Sequence, residues 1–208
     1  MENKRNFQRE LDLILKDISS RDTKPVLLLH SCCGPCSSYV LEYLTQFFYI
    51  KLYFYNPNIH PEEEYKKRLE AQYKVIKSMQ LENSVEIIEG EYDPNIFFSK
   101  VQGFESEPEG GERCHICIKM RMEAAALAAE KQNADYFATT LTVSPHKNAL
   151  YINQTGKDLE NIHQVTYLLS DFKKKNGYKR SIELCRMFDI YRQDYCGCVF
   201  SFRDTEKQ

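Results

Sequence analysis

An α/β fold, a three-layer sandwich built on a mostly parallel sheet, follows from three features of the 208-residue chain. Residues 26–30, VLLLH, form a continuous apolar run of the kind that a strand buried on both faces requires. Short apolar runs then alternate with longer segments of helical periodicity, the pattern of βαβ units joined by right-handed crossovers. The turn after the first run, SCCGPCSS, is compact and rich in cysteine, and open α/β sheets carry their sites at the carboxyl ends of strands.

Residues 5–19 present Phe7, Leu11, Leu13, Ile14, Leu15 and Ile18 as a loose helical stripe. After the cysteine turn, Val40, Leu41 and Leu44 mark a second helix, and residues 50–55, closed by NPN, a second strand. Residues 61–81 are helical and charged, with Glu64 and Arg68 one turn apart. Residues 85–88 give a third strand and 103–112, GFESEPEGGE, a loop. The Ala-, Met- and Leu-rich stretch 113–131 predicts the strongest helix. A short strand at 135–138, a helix from near Lys147, a strand at 162–168 and a helix around 178–188 complete the reading. The turn after the first strand and the segment from Thr139 to His146 should then open on one edge of the sheet.

Composition sets the bounds. Hydrophobic residues at 42% and charged residues at 28% suit a folded core. No apolar run approaches the ~18 residues of a membrane span, and the charged N-terminus has no signal core, so a cytoplasmic chain without a membrane partner is expected. At about 150 residues per domain, the length suits one domain over 1–208. Residues 1–20 form an appended helix in this reading, and 170–208 a C-terminal segment that completes a metal site. A net charge of −2 argues against a general nucleic-acid coat but leaves room for a local basic patch.

Cysteine is the informative residue. Seven of the eight cysteines fall in three clusters: Cys32, Cys33 and Cys36; Cys114 and Cys117; Cys196 and Cys198. In a reducing compartment such clusters read as metal ligands or redox thiols. Cys114 and Cys117 lie at i and i+3 near a helix start, where the thiolate is favoured. A four-thiolate zinc site or a cubane cluster takes at most four ligands. The surplus thiols could pack, form a redox-active disulfide bond, or bind a second metal; one iron–sulfur cluster with a second metal accounts for the set. Cys185, among Leu184, Met187 and Phe188, reads as a packing residue.

His30 closes the first strand, either as a satisfied structural group or beside the metal. His146 and Lys147, with Asn148, precede a helix and point toward the same crevice, where Lys147 could meet a phosphate. His60 reads as a turn or cap residue, and His115 as solvent-facing. Residues 173–180 carry Lys173, Lys174, Lys175, Lys179 and Arg180 around Tyr178, a solvated face or a phosphate-contacting flank. Tyr191, Arg192, Gln193, Asp194 and Tyr195 stand beside two thiols; each could be structural, and together they suit a wall that stacks and reads an unpaired base.

Taken together, LLHSCCGPCSS, FYNPNIHPEEEYKKR, EGGERCHICIKMRM, TTLTVSPHKN, DFKKKNGYKRSIEL and IYRQDYCGCVFS resemble the epoxyqueuosine reductases of the QueH type, over about residues 26–202. The resemblance implies reduction of the epoxide on the cyclopentane ring of epoxyqueuosine in tRNA, at the wobble position of GUN anticodons (Asp, Asn, His and Tyr). It implies a fold resembling the PP-loop/HUP nucleotide-binding proteins, a [4Fe-4S] cluster, an additional mononuclear iron and no cobalamin. Cys32, Cys33, Cys114, Cys117, Cys196 and Cys198 match the family's cysteines, while an aspartate can stand at the position of Cys36.

The chemistry agrees with that resemblance. Converting an epoxide to an alkene and water takes two electrons and two protons. Iron–sulfur clusters span the potentials needed, a Lewis-acidic iron steadies a developing alkoxide, and Asp194, His30 or a metal-bound water could supply protons. The electron donor is not identified by sequence. One rival is an ATP-using PP-loop tRNA-modifying enzyme with a cluster, but that pattern needs SGGxDS where this chain has SCCGPCSS. A second rival is a non-catalytic zinc-binding adaptor.

Overall fold

A computed structural model describes residues 5–201; the outermost positions of the expected 1–20 and 170–208 segments lie outside the described residues. Five strands form one sheet in the order β3-β2-β1-β4-β5, and every pairing is parallel. They are β1 (Val26–His30), β2 (Tyr49–Phe54), β3 (Val85–Glu89), β4 (Tyr136–Thr139) and β5 (Thr166–Tyr167). The helices are α1 (Phe7–Ser19), α2 (Gly34–Leu44), α3 (Glu62–Ser78), α4 (Pro94–Lys100), α5 (Glu112–Lys131), α6 (Ala149–His163) and α7 (Gly177–Met187). No helix among the described residues is long and apolar enough to cross a membrane.

β1 is central, which is why Val26–Leu29 are apolar without alternation and even the terminal His30 is buried. Leu27 and Leu29 join a core with Leu11, Leu15 and Ile18 of α1, Val40 and Leu44 of α2, Val75 of α3 and Leu184 of α7. Leu28 faces the opposite layer, with Ile118, Met122 and Ala126 of α5 and Ile152 and Leu159 of α6. The expected three-layer α/β sandwich is thus observed, and α1 packs into its main core.

Departures from the expected elements have local causes. α4 was not anticipated; Asp93 caps it by accepting a hydrogen bond from the Asn95 amide, with Pro94 in the first turn. The strand expected at 162–168 shrinks to two residues, because α6 runs on to His163 and Gln164 closes it in the left-handed conformation at φ 56°.

The strand order reverses at β1, so its carboxyl end and that of β4 flank the topological switch point, where α/β sheets bind ligands. His30 pairs with Thr139 in register, and a 3-10 turn, Thr140–Val143, follows β4. The two turns expected to meet do so: the Cys32 amide faces Thr140 Oγ1 at 3.4 Å.

Candidate metal centre and cavity

The first cysteine group is built by the β1–α2 turn. Cys33 caps α2 in extended conformation, Pro35 occupies its first turn, and Cys36 follows within that turn. Gly34 is required by close packing: a Cβ there would lie 2.9 Å from the Ala71 carbonyl oxygen of α3. The Sγ atoms of Cys32, Cys33 and Cys36 all lie within 4.8 Å of one another, with Cys32 and Cys33 at 3.6 Å. All eight cysteines are free thiols. Hydrogen bonds from Cys33 and Cys36 hold the Cys32 thiol well below its ordinary value. The same contacts push Cys33 up to about 12 and Cys36 well above the ordinary thiol range. The triad therefore concentrates negative charge on Cys32, the form that binds metal.

The second group stands at the mouth of α5. Cys114 Sγ accepts from the Gly110 amide at 3.2 Å. Cys117 is buried and shares an apolar cluster with Cys198, Phe97, Val101 and Met120. Cys196, nearer the surface, accepts from Lys147 Nζ at 3.2 Å. Burial pushes the Cys117 thiol up and raises Cys198 to about 11.

One cation faces both groups. Arg121, a turn beyond Cys117 on α5, is 3% exposed. It donates to the Cys117 carbonyl at 3.2 Å, and among the described residues it has no carboxylate partner within ion-pair distance. Burial opposes its charge, but Cys117, Cys196, Cys32 and Cys114 outweigh that penalty and hold its pKa above the ordinary value. An unpaired buried guanidinium is costly; thiolates are the anions this site offers it. Lys147 is likewise raised: burial opposes its charge, and the Cys196 thiol is the first of the groups that sustain it.

A cavity of about 390 Å³ opens between these groups, lined among others by Cys32, Cys36, Arg121, Lys147 and Cys196. Its donors are soft thiol sulfurs, the class that selects iron–sulfur clusters, zinc or copper(I). The spacing within the triad also fits a shared ion, since bonds of about 2.3 Å place tetrahedral sulfurs a little under 4 Å apart.

Comparison with known proteins matches residues 27–204 to the family described as "Epoxyqueuosine reductase QueH". The chain is 48% identical over 200 residues to a protein of that name from Staphylococcus epidermidis, covering 94% of this chain and 84% of the relative. It is 45% identical over 198 residues to that of Streptococcus pyogenes serotype M1, covering 94% and 78%. With that of Thermotoga maritima the identity is 35% over 188 residues, covering 88% and 93%. This chain belongs to the QueH family. The relatives are named as reductases, so the family is one of oxidoreductases.

Within this QueH chain the residues singled out by sequence divide sharply. His146, Lys147, Tyr178, Arg192, Gln193 and Asp194 line the cavity with Cys32, Cys36 and Cys196. Gln193 Nε2 donates to Cys33 Sγ at 3.0 Å, while its Oε1 is buried without a hydrogen-bond partner among the described residues. His30 is fully buried and does not line the cavity. Its Nε2 lies 3.1 Å from the Tyr55 carbonyl, which can only accept, so that nitrogen carries the proton. Nδ1 then accepts from the Thr139 hydroxyl at 2.9 Å. Burial, aided by the Arg121 charge, lowers His30 to about 4, so it is neutral near pH 7.

Other expected contacts are spent inside the fold. Asn148 caps α6, accepting from the Leu150 and Tyr151 amides. Lys173 pairs with Asp171 at 2.7 Å, Lys175 with Asp12 at 2.6 Å and Arg180 with Glu42 at 2.6 Å. The basic strip therefore offers Lys174 and Lys179, both exposed, rather than five equivalent cations. Tyr191 donates to Glu64 at 2.8 Å. His60 precedes the cap residue Pro61 of α3, and His115 stacks on Tyr151 at 4.0 Å.

Sequence pattern alone assigns no role to Arg121 or Arg68. The signal for Arg121 was present, since it follows Cys117 by four residues on one helix face. Arg68 had no such signal, because a Glu–Arg pair on a charged helix reads as a solvated face, yet it is 2% exposed.

Proposed function

We propose that this chain reduces epoxyqueuosine to queuosine at the wobble position of cytoplasmic tRNAs with GUN anticodons (Asp, Asn, His and Tyr). The observation that carries the reading is the gathering of three sequence-distant cysteine groups around Arg121, at the sheet's switch point and beside an open cavity. Cys32, Cys33, Cys36, Cys114, Cys117, Cys196 and Cys198 would between them hold a [4Fe-4S] cluster and a second iron, without cobalamin. When bound, such a centre supplies the two electrons and a Lewis-acidic site for the epoxide oxygen; the electrons come from an external donor.

The protein's own groups do the rest. To Asp194, exposed on the cavity wall, we assign delivery of a proton to the departing oxygen. His30 keeps a single tautomer between Tyr55 and Thr139 and so acts as a positioning residue at the base of the cysteine turn. Tyr178 offers a stacking face, and Arg192 on the cavity wall can read base edges. A wobble base already lies in a single-stranded loop, so presenting it costs less than extracting it from a duplex.

The test is anaerobic incubation of iron-reconstituted protein with a low-potential reductant and epoxyqueuosine-containing tRNA, followed by nucleoside analysis. Queuosine should appear. Its absence from protein that carries iron and sulfide would overturn the reading. Asp194→Asn should lower turnover far more than tRNA affinity, and equal losses of both would remove Asp194 from proton delivery.

A further inference from the structure

Between the end of α7 at Met187 and the helical residues that begin at Val199 the chain has no regular secondary structure, yet this stretch carries Cys196 and Cys198. Something other than its own backbone ladder must set the position of these thiols. The structure places a buried ion pair of α3 directly beneath it. Arg68 and Glu64 are 2% and 7% exposed, and Arg68 Nε donates to Glu64 Oε1 at 2.6 Å.

All three nitrogens of the guanidinium are used. Nη1 donates to the Cys196 carbonyl at 3.0 Å and Nη2 to the Tyr195 carbonyl at 3.1 Å. The guanidinium also stands 5.1 Å from the Tyr195 ring centroid. Glu64 is shared in turn: its other oxygen accepts from the Tyr191 hydroxyl at 2.8 Å. Two bonds to His60 complete the seam, from the Tyr195 hydroxyl to its carbonyl and from its amide to the Gly197 carbonyl, each 2.8 Å. Gly197, at φ 103°, supplies both the backbone conformation and the clearance that Arg68 needs.

We propose that Arg68, held by Glu64, is the positioning residue that fixes Cys196 on the cavity wall it shares with Cys32 and Cys36, and Cys198 in the apolar cluster beside Cys117. Burying such a pair is expensive, and a well-packed apolar pair often gives equal stability, so its presence here fits a role in specifying one conformation. Lysine cannot substitute. It carries the charge but lacks the planar fork that holds two successive carbonyls and a carboxylate together. Only the catalytic consequence rests on the function proposed above; the placement of the two thiols can be tested without it.

The experiment is alkylation by iodoacetamide of the reduced, metal-free full chain, followed cysteine by cysteine by mass spectrometry. In Arg68→Lys the buried Cys198 should be modified at least tenfold faster than in the unaltered protein, while Cys185, buried in the main core, changes less than twofold. In iron-reconstituted protein, kcat should fall with KM for the tRNA unchanged, a split that general loosening would not give. Unchanged Cys198 labelling, or equal acceleration of both thiols, would overturn the proposal. Should Arg68→Lys fail to fold, the Tyr191→Phe/Tyr195→Phe double variant, which removes two hydroxyls and no charge, should accelerate Cys198 about threefold. No selective acceleration there would equally overturn it.

Discussion

Replacing Gly197 by alanine tests whether the Arg68 seam is rigid. The residue sits at φ 103°, and an added Cβ would lie 2.8 Å from Arg68 Nη1, 3.1 Å from Ile59 Cγ1 and 3.2 Å from Arg68 Cζ. A non-glycine residue in such a conformation costs about 1–3 kcal/mol. A flexible arginine on a surface would swing aside at little further cost. This one is enclosed, and moving it breaks hydrogen bonds of a charged donor, each worth about 1.5–3 kcal/mol. Gly103→Ala is the control, because Gly103 also has positive φ, 87°, but has nothing within 4 Å of its Cβ position. The two variants share the backbone strain and differ in the collision. Gly197→Ala should therefore lose about 2 kcal/mol more than Gly103→Ala, roughly 4–8 °C more in Tm at about 2–4 °C per kcal/mol for a chain of this size. Thermal melts of the metal-free proteins, monitored by circular dichroism, give the comparison. Equal melting temperatures would refute the argument that the guanidinium cannot yield.

Thr139→Val should destabilise the protein by about 1–3 kcal/mol in urea denaturation, because it strands the buried His30 Nδ1 and the Leu141 amide that now use the hydroxyl; Thr139→Ser should recover most of the loss. Gly156→Ala should also destabilise, although alanine favours helix by about 1 kcal/mol. Its Cβ would fall 2.4 Å from three carbons of the buried Tyr167 ring, and overpacking costs about 1–3 kcal/mol; a raised urea midpoint would contradict this. In tRNA binding, Lys174→Glu/Lys179→Glu should weaken affinity and flatten the salt dependence by about 0.7–0.9 in slope per lost phosphate contact. Lys175→Glu should instead act on stability, by setting a carboxylate beside Asp12 in place of its ion pair, with little change in the salt slope.

What the sequence disclosed was whatever depends on local pattern. VLLLH announces a strand buried on both faces because four apolar residues run unbroken up to the terminal His30. The α5 stretch reads as helix from propensity alone, and the meeting of the β1 and β4 turns follows from the general topology of open sheets. Hidden were features whose causes lie far along the chain. Lys175 and Arg180 read as solvent cations, since their partners Asp12 and Glu42 are 163 and 138 residues away. Glu64 and Arg68 look like a solvated helical pair, because the carbonyls that bury them belong to residues 127 and 128 positions later. His30 could be placed beside the cysteines but not assigned a tautomer, which depends on Tyr55 and Thr139 from neighbouring strands.

The order in which the cysteine groups emerge during synthesis bears on when the proposed metal centre could be filled. Cys36 and Cys196 are 160 residues apart, and translation at about 5–20 residues per second separates their appearance by roughly ten to thirty seconds. Throughout that interval the nascent chain displays its first three thiols without the late segment that Arg68 must grip. A metal ion offered on the ribosome would meet an incomplete set of thiols, so the centre proposed above would be filled only after that segment has docked.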